Sequence, residues 1–128
     1  MNTDTPANAT WELLDRRRVQ DLVSKHGAAR VLSTMMSDPL PPEQRIAAMR
    51  ELAVAGNILR LRADTSELMA WAEGHGLRRL NNALIELDRV LALPARGQAI
   101  LQAQALTRFI ALNLEQDIMA FRRAVSGS

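Results

Sequence analysis

The stretch LRRLNNALIELDRVLAL, residues 77–93, decides the fold. Leu77, Leu80, Leu84, Leu87 and Leu91 recur at alternating steps of three and four, which brings all five side chains onto one face of an α-helix. The pattern lasts only two heptads, so it points to packing within a bundle and not to an extended coiled coil. Pro94 disfavours helical backbone in the residue before it and closes the segment.

Downstream, residues 95–124 read as one long helix, on the order of 45 Å at ~1.5 Å per residue. It carries two apolar faces. Ile100, Ala103, Leu106, Ile110, Leu114, Ile118 and Phe121 form the first; Leu101, Ala105, Phe109, Leu112 and Met119 form the second. Only a narrow polar stripe of Gln104, Arg108, Glu115 and Arg122 separates them. A helix apolar over most of its circumference is buried on more than one side. It is therefore either the central post of the bundle or partly covered by a second copy of the chain.

Upstream, the expected order is a helix over 11–25 capped by Thr10, Gly27 as its terminator, and a short helix over 28–36. The first helix would be supported by i,i+4 pairs Glu12–Arg16 and Arg17–Asp21. The loop SDPLPP follows, with Pro42 suited to the first turn of a third helix, where its missing N–H costs nothing. The apolar phase breaks at Gly56-Asn57. Asp64-Thr65-Ser66-Glu67 has capping-box spacing and suggests a separate short helix ending near Glu73. The expected fold is thus an all-α, single-domain bundle of five to six helices over residues 11–125, with a long C-terminal helix. Residues 1–10 are polar and read as a disordered lead-in without the pattern of a secretory signal.

At 128 residues the chain is long enough to bury an unaided core, and 48% apolar residues are ordinary for a globular domain. The absence of cysteine removes disulfides, thiolate catalysis and thiolate zinc sites, and fits a cytoplasmic location. No apolar run approaches the ~18 residues of a membrane span. The pI of 10.3 overstates the basicity, because net charge is only +2 and 15 of the 16 basic residues are Arg.

The inventory for catalysis is thin. His26 and His75 each precede a glycine at an expected helix end, where a histidine serves as a C-terminal cap. A helical enzyme would require the two histidines to meet in one pocket. No spacing places two metal ligands on one helical turn, and no phosphate-cradling glycine loop occurs, so neither metal nor cofactor is expected. The repeated pattern His26-Gly27-x-x-Arg30-Val31 and His75-Gly76-x-x-Arg79-Leu80 hints at a duplication. Met35, Met36, Met49 and Met69 suit either an adaptable groove or the core. Trp11 and Trp71 suit either an interface or a helix junction.

Two functional classes remain. The first is a non-catalytic protein–protein interaction module, an adaptor, regulator or assembly component. It would self-associate, as a dimer for preference, through Leu101, Phe109, Leu112 and Met119. The alternative is a small DNA- or RNA-binding regulator using Arg16, Arg17, Arg78 and Arg79. Acidic residues lie close to every basic cluster, and an interspersed charge run of this kind usually marks a solvated face. Membrane binding fits poorly, because the long helix lacks a polybasic face.

Overall fold

A computed structural model describes residues 12–37 and 41–127. Its helices are α1 (Arg16–His26), α2 (Ala28–Ser37), α3 (Pro42–Ala55), α4 (Ile58–Gly74), α5 (Arg78–Leu91) and α6 (Arg96–Ser126). There is no strand among the described residues, so the chain is the all-α bundle with a long last helix that the leucine spacing implies.

Helix α6 is 31 residues long and packs against α1, α2, α3 and α5, which makes it the post of the bundle. All five leucines of the deciding stretch are buried, and on α6 Ala103, Ile110, Leu114, Ile118 and Phe121 close the same core. Met35 and Met49 are fully enclosed in it, which assigns both to core packing, with Met69 half-buried at its edge. Trp71 sits half-buried in the last turn of α4, with the Arg45 guanidinium of α3 5.9 Å from its ring centroid.

Local boundaries follow from capping chemistry. Pro42 occupies the first turn of α3 as expected. Gly56 ends that helix in the left-handed region, at φ 73° and ψ 21°, and Asn57 then starts α4 by accepting a hydrogen bond from the Arg60 N–H.

Two expectations fail. The first helix begins at Arg16, capped by Asp15, whose Oδ1 accepts from the Arg18 N–H at 3.2 Å. Glu12 therefore lies before the helix and cannot form the i,i+4 pair with Arg16. The expected cap Thr10 and the apolar Trp11 fall outside the described residues. The second failure is the separate helix after Asp64: α4 runs unbroken through it. Thr65 is buried there, and its hydroxyl donates back to the Leu61 carbonyl at 2.7 Å, so its polar group is satisfied inside the helix.

Candidate interaction surface

With α6 serving as the post, its first apolar face is consumed by the core. The second faces outward. Leu112 is 77% exposed, Leu101 68%, Met119 44% and Phe109 41%. Leu101, Ala105, Arg108, Leu112, Glu115, Met119 and Arg122 succeed one another at alternating steps of four and three, so they form a single line along the helix. Phe109 lies on one flank of that line.

Helix α3 runs antiparallel to α6 along the other flank. Gln104 Nε2 donates to the Ala53 carbonyl at 3.4 Å and Arg96 Nη2 to the Gly56 carbonyl at 3.3 Å, while Glu43, at the start of α3, and Arg122, near the end of α6, line one groove. Between the two helices is an open groove of about 530 Å³. Ile46, Ala111, Leu114 and Ile118 form its apolar bottom, and Glu43, Arg50, Glu115 and Arg122 stand along its sides. Val54, 75% exposed, continues the line that Glu43, Ala47 and Arg50 make on α3. The surface is thus an apolar strip with charges of both signs interspersed.

The four arginines of the alternative reading are differently placed. Arg16 and Arg17 are exposed on α1. Arg78 lies 3.5 Å from a carboxylate oxygen of Glu12 and 3.5 Å from one of Asp15. Arg79 turns inward to α6, where Asp117 Oδ1 accepts from its Nε at 3.0 Å and lies 2.9 Å from its Nη2. Burial pushes the Asp117 carboxyl up to about 6, against the opposing pull of the Arg79 guanidinium. Two of the four cations are therefore already matched by carboxylates.

The histidines line one cleft. Its volume is about 310 Å³, and Leu22, Arg30, Val31 and Thr34 line it with His26, at the end of α1, and His75, at the end of α4. His75 acts as the expected cap, since its Nδ1 lies 2.8 Å from the Trp71 carbonyl. A carbonyl only accepts, so Nδ1 carries the proton in this contact. Periodicity and spacing gave no signal for this convergence, nor for the burial of Asp117. Among the described residues no group of three or more His, Asp or Glu is arranged to hold a metal ion, and no helix is long and apolar enough to cross a membrane.

No family model, curated protein or solved structure matches the chain.

Proposed function

We propose that the protein is a non-catalytic protein–protein interaction module, an adaptor, regulator or assembly component, that pairs with a second copy of itself through the outer face of α6. The observation that carries this reading is the exposed line Leu101–Leu112–Met119 beside the α3–α6 groove. Burying a side chain of this kind contributes about 1.5–3 kcal/mol, so two copies together gain of the order of 10 kcal/mol. That is comparable with the 4–15 kcal/mol or so that association costs, and Ala47 and Val54 on α3 extend the strip.

The charge pattern favours a second copy over an unrelated helix. The pairs Leu101/Met119, Ala105/Glu115 and Arg108/Leu112 are each centred on position 110. Two antiparallel copies of α6 related by a two-fold axis at that level bring Leu101 of each opposite Met119 of the other. Arg108 then comes within reach of Glu115 of the second copy, twice over. Self-complementarity of this kind is what a two-fold interface needs.

The nucleic-acid reading has less support, because Arg79 is engaged with Asp117 and Arg78 stands between Glu12 and Asp15.

Light scattering on the purified protein, at low and high salt, tests the proposal. The wild type is expected to be a dimer in both. Leu112→Glu/Met119→Glu is expected to be a monomer with an unchanged circular-dichroism spectrum, because both positions are exposed in the single chain. A wild type that stays monomeric up to roughly 100 µM, a concentration that half-populates even a weak dimer, would sink the reading. So would a folded variant that still dimerises.

A further inference from the structure

The cleft between the α1–α2 hairpin and the end of α4 shares no residue with the groove on α6. Its polar lining is of one character: two imidazoles, the Arg30 guanidinium and the Thr34 hydroxyl, with no carboxylate among the lining residues. Leu22 and Val31 supply an apolar wall.

The two arginines of the repeated His-Gly-x-x-Arg pattern are differently placed. Arg79 lies outside the cleft, paired with Asp117. Arg30 stays in it, exposed, and no carboxylate of the described residues lies within ion-pair distance of its guanidinium.

His75 is held rigidly. Its ring centroid is 4.8 Å from that of Trp71 and 5.9 Å from that of Phe121, and Nδ1 is fixed on the Trp71 carbonyl. Nε2 is thus the ring nitrogen left for a ligand. A hydrogen bond that fixes one ring nitrogen while the other meets a ligand is a common way of orienting a binding histidine.

We infer that this cleft binds a small molecule through a phosphate monoester group, with its organic part against Leu22 and Val31. Donors arriving from three helices surround a tetrahedral group with several oxygens better than they serve a planar carboxylate with two. An arginine fork without a competing carboxylate supplies the charge-assisted contact. Two histidines and a threonine supply neutral or cationic partners around it. Metal binding is a poorer fit, because the Arg30 cation would face the ion directly.

The test is a titration followed by NMR of the imidazole signals, at fixed pH and ionic strength, with inorganic phosphate, phenyl phosphate and acetate as probes. Both His26 and His75 signals are expected to shift saturably with inorganic phosphate. Phenyl phosphate should saturate at lower concentration because of the apolar wall, with half-saturation at or below roughly 1 mM. Arg30→Glu is expected to weaken both by about tenfold or more, as loss of a charged hydrogen bond implies. Arg62→Glu, which makes the same charge change at an exposed position on α4 that lines neither groove nor cleft, should leave them unchanged. Absence of saturable shifts overturns the inference, as does an equal response in the Arg30→Glu and Arg62→Glu variants. Acetate binding as tightly as phosphate overturns the assignment of ligand class.

Discussion

Arg79, in the first turn of α5, spans to α6 and lays both Nε and Nη2 against a single carboxylate oxygen of Asp117, at 3.0 and 2.9 Å. Its Nη2 also donates to Gln116 Oε1 at 2.9 Å and lies 3.4 Å from the Asn113 carbonyl. One guanidinium thereby ties the start of α5 to a full turn of the post. Asp117 is 2% exposed, and Arg79 keeps only 15% of its side chain in solvent.

The raised Asp117 pKa sets a pH dependence of stability. The folded chain keeps this proton to about pH 6, whereas an unfolded aspartate loses it near its ordinary value of 3.8. Between those values the folded state binds more protons, so stability falls as pH rises. The contribution is complete below about pH 4 and lost once the pH has passed about 6. Urea unfolding of the wild type and Asp117→Asn across this range measures it. The difference between the two proteins should change steadily from pH 4 to pH 7 and level off above. A constant difference would show that Asp117 titrates normally.

Removing one partner of the pair should cost far more than removing both. Arg79→Met leaves a buried carboxylate without its cation and is expected to destabilise by about 3–5 kcal/mol at neutral pH. Because the arginine is one of the groups holding the carboxyl down, the penalty should shrink at pH 5. Arg79→Met/Asp117→Leu replaces the pair by apolar groups and should recover most of the loss. The check is a double-mutant cycle by chemical denaturation, with a coupling near zero counting against the pair.

Gly76 is expected to be irreplaceable. It stands at φ 71°, and a Cβ there would come within 2.9 Å of the Asp15 carbonyl oxygen and 3.2 Å of the Arg18 side chain. The Asp15 backbone cannot withdraw without breaking its own N–H bond to the Gly76 carbonyl at 2.8 Å. Gly76→Ala combines left-handed strain with a clash and should cost roughly 2–4 kcal/mol. Gly97, in the first turn of α6 with nothing within 4 Å, offers the contrast. Gly97→Ala should be neutral or stabilise by up to about 1 kcal/mol. Thermal unfolding of both variants checks the pair of expectations.

Periodicity made much of the fold readable. Leu77, Leu80, Leu84, Leu87 and Leu91 announced α5 because each lies on one face and every one is buried. The two apolar faces of α6 were equally plain, although nothing in their spacing distinguishes the face that meets the core from the one that meets solvent. That choice depends on how many neighbours arrive, which is a property of the assembled bundle. Local rules failed where a competing local bond existed. The capping-box spacing at Asp64 lost to the Thr65 hydroxyl bonding back one turn, and the pair expected for Glu12 lost to the Asp15 cap. The convergence of His26 and His75 on one cleft and the pairing of Arg79 with Asp117 join residues 49 and 38 positions apart, respectively, a distance over which no short-range pattern carries information.

The place of the post in the chain also orders its assembly. Helix α6 is synthesised after the five helices packed in front of it in sequence, and four of them rest on it directly. Until residues 96–126 are made, Ile46, Met49, Leu80, Leu84 and Leu87 lack the α6 side chains that share their core. The surface that closes the core is thus the last of the six described helices to emerge, so the earlier helices hold their α6-facing side chains unmatched until it does.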